Sequence, residues 1–187
     1  MSEATDRRST DEIVAEVCAA LNVEHVEIRR PARDDARPAP QIVRTAPFTY
    51  YGNDRLDVSP GSADPIGGWF APSREIALAN KAAWNQSNAL GSSFASMFAD
   101  IYTAEMRVRY GIVPGSEAWG TLSVDDQSRV YNALARGVEP TPSAWGALLA
   151  MREVTLVCTC ADATRCHRVL LARILEKLGA TYAGEMR

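Results

Sequence analysis

Residues 154–179 decide the fold of this chain and read VTLVCTCADATRCHRVLLARILEKLG. Val154 to Cys158 is a short β-branched apolar run, which is typical of a strand buried on both faces. A polar loop follows, and apolar residues then recur at helical spacing up to Gly179, a residue type that commonly ends a helix. Strand, loop and helix in this order predict one unit of an α/β sheet.

The loop of this unit gathers sulfur, imidazole and guanidinium groups. Cys158 and Cys160 stand at the carboxyl end of the strand, where α/β sheets bind ligands, and side chains two apart on a strand share a face. Cys166, His167 and Arg168 open the helix, whose free N–H groups and dipole favour anions. The sequence therefore predicts a single polar site at this strand–helix junction.

The first hypothesis for the site is thiol chemistry. Cys166 is the first candidate for a thiolate and Cys160 the second, because the helix dipole and the Arg168 guanidinium stabilise a charged sulfur. His167 could act as acid, base or hydrogen-bond donor, since an imidazole titrates near neutral pH. Group transfer or hydrolysis would use such a set, with Cys166, His167 and Cys160 as catalytic residues. The predicted ligand-binding residues are Arg168, Cys158, Arg165, Asp57 and Ser59.

Three other interpretations of the site stay open. Cys158, Cys160, Cys166 and His167 are four donors of the type that binds zinc. Their spacing argues against a closed zinc site, because adjacent donors in a helix point away from each other and Cys-x-Cys is tighter than the usual zinc spacing, so no metal ligand is predicted. The site could also be a non-catalytic cradle that senses a nucleotide or captures a host or phage factor. In the third interpretation the cysteines pack as small apolar groups, His167 caps the helix, and Arg168 pairs with an acidic neighbour.

Length and composition limit the classes of function. The chain has 187 residues, 47% of them apolar and 23% charged, which is ordinary for one globular domain. A formal net charge of −3 argues against general binding of nucleic acids or anionic membranes. No apolar run reaches the ~20 residues of a membrane helix, and residues 1–10 lack a secretory signal. We therefore expect a cytoplasmic protein with reduced thiols.

The predicted organisation is a single three-layer α/β domain, residues 11–187, behind a disordered tail, residues 1–10. A mainly parallel sheet flanked by helices is the expected architecture. Residues 30–50 are predicted to be loop-rich, since Pro, Arg and Asp dominate their first part. Helices are predicted at Asp11–Leu21, Ser73–Trp84, Ser93–Gly111, Ser123–Gly137 and Thr141–Met151, and further strands at residues 55–59 and 181–183.

Residues 154–172 and the tail GATYAGE at residues 179–185 resemble a bacterial and phage family known as the domain of unknown function 488. The likeness consists of a hydrophobic strand ending in cysteine, a short loop, and Cys-His-Arg at the start of a helix. It implies a compact α/β fold with a parallel sheet and no established reaction. It also carries over Cys158, Cys166, His167 and Arg168 as the family's motif positions.

The function predicted from these observations is that of a small α/β protein that binds an anionic small molecule, such as a nucleotide or modified base. Its enzymatic form would be a thiol-dependent transferase or hydrolase that needs no cofactor. The alternatives are a non-catalytic nucleotide-sensing or factor-binding module and a structural zinc site. The oligomeric state is left open.

Overall fold

Four parallel strands form the sheet of this computed structural model, in the order β2–β3–β1–β4. β1 pairs with both β3 and β4, and β2 pairs with β3. The structure describes residues 40–84 and 88–186, with side chains except those of residues 84–94. The predicted α/β class with a parallel sheet is confirmed. The strand bounds are β1 Ile42–Pro47, β2 Arg55–Asp57, β3 Glu153–Cys158 and β4 Thr181–Glu185.

Five α-helices lie within this described part of the chain, where none is long and apolar enough to cross a membrane. Their bounds are α1 Arg74–Trp84, α2 Asn88–Tyr110, α3 Val124–Ala135, α4 Pro142–Ala150 and α5 His167–Lys177. Short 3₁₀ helices occur at Gly67–Phe70, Glu117–Thr121 and Ala163–Arg165.

Two helix starts were predicted correctly and one was not. Ser123 is the N-cap of α3, and its hydroxyl accepts a hydrogen bond from the backbone N–H of Asp126. Pro142 occupies the first turn of α4, where its missing N–H costs nothing. The predicted start of α2 at Ser93 is wrong, since the helix already begins at Asn88 and serine is tolerated inside it.

The central strand β1 corrects the prediction of a loop-rich segment at residues 30–50. Its sequence, IVRTAP, gives only a weak alternation, which Arg44 interrupts and Pro47 ends. Val43, Thr45 and Ala46 are nevertheless fully buried, because strands pair on both sides of β1. Residues 42–47 therefore form a strand because they pair with a strand on each side, and this burial outweighs their weak local propensity.

The main core lies between the sheet and the helices and reaches the carboxyl edge of β3. Phe70 and Trp145 meet edge to face with ring centroids 4.9 Å apart. The hydroxyl of Tyr102 donates to the carbonyl oxygen of Phe70 at 2.7 Å. Cys158 and Cys166 belong to the same buried cluster, so the predicted site borders the core.

Several sequence predictions fall on residues that the structure does not describe. They are the tail at residues 1–10, the helix at Asp11–Leu21, Cys18, and residues 30–39 of the loop-rich stretch. Residues 39–187 form a compact unit by themselves.

Candidate metal centre

Four side chains of the strand–helix junction converge at the carboxyl edge of the sheet. The ligand atoms of Cys158, Cys160, Cys166 and His167 all lie within 4.8 Å of one another. The sulfurs of Cys158 and Cys160 are 3.6 Å apart, and the sulfur of Cys166 lies 3.9 Å from Nδ1 of His167. Around a tetrahedral zinc ion, two sulfurs would be about 3.8 Å apart and a sulfur and a nitrogen about 3.6 Å apart. These two separations are close to the tetrahedral values, while others reach up to 4.8 Å, so the cluster could hold a tetrahedral metal ion after small shifts of its side chains.

The spacing argument against zinc is wrong for Cys166 and His167 because Cys166 is not helical, and the tight Cys158–Cys160 spacing still leaves the two sulfurs 3.6 Å apart. Cys166 is the N-cap of α5, with φ −95° and ψ 139°, an extended conformation. Only His167 stands in the first turn of the helix, so the two adjacent donors turn toward one point instead of away from each other. The prediction that the site has no metal ligand therefore loses its geometric basis.

The loop between the cysteines is shaped by a short 3₁₀ turn, Ala163–Arg165. Asp162 caps this turn, since its carboxylate accepts hydrogen bonds from the backbone N–H and the hydroxyl of Thr164, at 2.9 and 2.6 Å. The turn reverses the chain after Cys160 and returns Cys166 to the end of β3. Cys160 lies two residues beyond the end of the strand.

His167 is held in one tautomer by a backbone contact. Its Nε2 lies 2.6 Å from the carbonyl oxygen of Val58, which can only accept a hydrogen bond. Nε2 therefore carries the hydrogen, and the lone pair of Nδ1 faces the sulfurs in the neutral ring. Metal-binding histidines commonly donate their second N–H to a carbonyl group in this way.

Burial and shared protons set the charge of the metal-free cluster. Cys158 is 0% exposed, Cys166 and His167 are each 2% exposed, and Cys160 is half-buried. Hydrogen bonds from Cys160 and Cys166 lower the pKa of Cys158 far below that of an ordinary thiol. Their hydrogen bonds to Cys158 raise the pKa of Cys160 and that of Cys166. These hydrogen bonds make Cys158 the most acidic of the three thiols, and the thiolate role of Cys166 stays a prediction.

Arg168 is buried behind the cluster, with 1% of its surface exposed. Its Nη1 donates to the carbonyl oxygen of Cys160 at 2.9 Å, and its Nη2 donates to the carboxylate of Glu185 at 2.8 Å. The guanidinium thus connects the cysteine loop to the end of β4. Both contacts are with the protein itself, so the structure gives Arg168 the contacts of a positioning residue.

The remaining predicted ligand-binding residues lie at different distances from the cluster. Ser59 is buried, and its hydroxyl accepts a hydrogen bond from the backbone N–H of Thr159 at 3.2 Å, beside the cysteine loop. The carboxylate of Asp57 accepts one from the backbone N–H of Ser59 at 2.9 Å and so supports that segment. Arg165 lies on the exposed 3₁₀ turn, where its Nε is 3.9 Å from Asp162. That Ser59, Asp57 and Arg165 contact a ligand stays a prediction.

Two residues that hold the site together were not predicted from the sequence. Val58 acts through its backbone carbonyl group, for which an amino-acid sequence carries no signal. For Glu185, the packing interpretation of the sequence had Arg168 pair with an acidic neighbour but did not say which one. Only the fold shows that β4 brings Glu185 to Arg168.

The comparisons with known proteins add no assignment to this geometry. No protein-family model matches the chain, and neither the curated proteins nor the solved structures contain a detectable match. The resemblance to the domain of unknown function 488 therefore stays a prediction.

Proposed function

We propose that this protein binds a zinc ion through Cys158, Cys160, Cys166 and His167, and that the ion fixes the strand–helix junction. The observation that carries the proposal is the convergence of all four ligand atoms within 4.8 Å. Four protein ligands fill a tetrahedral shell, which is the ligand set of a structural zinc site. Three thiolates and an imidazole also favour zinc over magnesium or calcium, which prefer oxygen ligands.

The surrounding contacts support a stabilising role for the ion. It would join the end of β3, the cysteine loop and the start of α5, and would add to the hydrogen bond by which Arg168 of α5 already holds the Cys160 carbonyl group. His167 extends the connection to the segment after β2 through its hydrogen bond to Val58. Because an unfolded chain has no preformed site, the free energy of metal binding adds to the stability of the fold.

Metal analysis of protein purified without a chelator tests this proposal. We expect zinc in equal amount to the chain, and we expect Cys158→Ser and Cys166→Ser to lose most of it. Cys18→Ser is the matched control and is expected to keep its zinc, because the four donors are complete without Cys18. A wild-type protein that contains no zinc and takes up none when it is added would contradict the proposal.

Cobalt substitution tests the geometry of the site. A cobalt(II) ion bound by three thiolates and an imidazole in a tetrahedron should give intense visible absorption and sulfur-to-metal charge-transfer bands. Cys160→Ser should weaken the charge-transfer bands, since one thiolate is removed. Weak absorption typical of octahedral cobalt would show that the four donors do not close around the ion.

A second candidate function is a thiol-dependent transferase or hydrolase that acts without metal. The observation that favours it is that Cys160 is half-buried and borders a cleft together with His167. Titration with a disulfide reagent separates the two candidates. If the protein is a thiol enzyme, it should be purified without metal and should show one cysteine that reacts fast near neutral pH. If it is a zinc centre, its cysteines should react slowly until a chelator removes the ion.

A further inference from the structure

A cleft with a volume of about 420 Å³ lies beside the metal centre. Helix α1 forms one side of the cleft, and the cysteine loop with Cys160 and His167 forms the other. Cavities of about 300 to 1,000 Å³ suit small organic ligands. The cleft also lies at the carboxyl edge of the parallel strands, where α/β folds bind their ligands.

The lining of the cleft is mostly apolar with one permanent charge. Pro60, Pro72, Leu78 and Phe98 contribute apolar surface, and 58% of the Leu78 surface is exposed at the rim. Lys81 is the charged residue among the described residues that line the cleft, and within residues 40–84 and 88–186 it makes no ion pair. An apolar wall with an unpaired cation matches a ligand that has an apolar body and an acidic group.

The charge of the metal centre sets the direction of such a ligand. A divalent ion with three thiolates carries a net negative charge, which repels an acidic group near Cys160. Arg168 does not offset this toward the cleft, since its guanidinium is buried and bonded to Cys160 and Glu185. The acidic group therefore belongs at the Lys81 end.

We infer that this cleft binds a small organic acid, a carboxylate or phosphate ester, with its acidic group on Lys81 and its apolar body against Leu78 and Phe98. The inference rests on the proposed function, because the ion would hold Cys160 and His167 in the cleft wall. The sequence predicted that Arg168 would bind the anion, whereas this inference assigns that contact to Lys81.

Fluorescence titration with anilinonaphthalene sulfonate, an aromatic probe with an acidic group, tests the inference. Lys81→Gln should weaken binding about 5- to 10-fold, since a charge-assisted contact is lost. Leu78→Glu should weaken it further, because the new carboxylate at the exposed rim repels the sulfonate. High salt should also weaken binding of the probe to the wild-type protein, because it screens the attraction between the sulfonate and Lys81.

Matched controls come from a second groove of about 310 Å³, which Lys177 and Leu178 line. Lys177→Gln and Leu178→Glu make the same chemical changes there and should leave probe binding unchanged. If these controls weaken binding as much as the cleft variants do, or if the cleft variants bind like the wild type, the inference is overturned.

Competition and metal content complete the experiment. Displacement of the probe by benzoate but not by adenosine monophosphate indicates a carboxylate ligand, and the reverse indicates a phosphate ester; displacement by neither overturns the inference. Zinc is measured in every sample. If the protein contains no zinc but binds the probe in a way that depends on Lys81, the cleft is supported and the metal proposal is rejected. If the protein contains stoichiometric zinc but shows no binding that depends on Lys81, the metal proposal is supported and the cleft is rejected.

Discussion

The imidazole Nε2 of His167 donates to the carbonyl oxygen of Val58 at 2.6 Å, and this bond joins the start of α5 to the segment after β2. The two residues are 109 positions apart in the sequence. The contact leaves Nδ1 toward the cysteine cluster, 3.9 Å from the sulfur of Cys166, so one backbone group of a distant segment sets which ring nitrogen is available to a ligand.

Two substitutions of His167 separate metal binding from the contact with Val58. His167→Ala should abolish stoichiometric zinc, since both the ligand and the bond to Val58 are lost. His167→Cys supplies a fourth sulfur but no donor to Val58, so it should keep zinc with about 10- to 100-fold lower affinity. Chelator competition measures the affinity. Equal zinc affinity in His167→Cys and wild type would show that the Val58 contact does not tune the site.

Arg168→Met should destabilise the protein by about 2–4 kcal/mol, because it removes a buried guanidinium and leaves the Cys160 carbonyl and Glu185 without their partner. Arg173→Met is the matched control. Its pair with Glu176 is also 2.8 Å long, but both side chains are largely exposed, so the change should cost less than about 0.5 kcal/mol. Urea denaturation measures both. Similar losses would mean that Arg168 does not hold the cysteine loop.

Asp54→Asn should reduce the stability of the protein at neutral pH and make that stability less dependent on pH in the acidic range. Burial raises the pKa of Asp54, but hydrogen bonds from Thr155 and Tyr50 outweigh it and leave the pKa below its ordinary range. A lowered pKa in the folded state stabilises the protein above the unfolded-state pKa, and this contribution disappears as the pH falls below about 4.

Denaturation at several pH values measures the effect of Asp54→Asn. The difference in free energy of unfolding between wild type and variant should be greatest near pH 7 and shrink in acid. Asp125→Asn is the control, because the Asp125 side chain is exposed and forms no hydrogen bond or ion pair with the residues that the structure describes. A difference that grows as the pH falls would contradict the assigned direction of the shift.

Tyr102→Phe should cost about 1–3 kcal/mol, because the buried carbonyl group of Phe70 loses its hydrogen-bond donor. Tyr131→Phe makes the same change at a side chain that is 54% exposed, and it should alter stability by less than about 0.5 kcal/mol. Thermal denaturation compares the two. If Tyr102→Phe matches its control, the bond does not stabilise the segment that leads to the cleft.

Particular elements show how much of the fold was predictable. β3 and α5 were found because an apolar run and a helical period are local signals, and α3 and α4 because Ser123 and Pro142 mark helix starts. β1 was missed, since its IVRTAP sequence becomes a strand through its two neighbours. The cluster residues were all named from the sequence, but the metal interpretation was set aside on a wrong assumption about the backbone of Cys166.

The sequence by itself determined which chemical groups could meet, since three cysteines, a histidine and two arginines lie within eleven positions around one strand–helix junction. The tertiary structure decided how they meet. It made Cys166 an extended N-cap, set the tautomer of His167 through Val58, and committed Arg168 to Glu185. Spacing along a chain fixes the order of side chains, whereas their directions depend on backbone angles and on partners from distant segments.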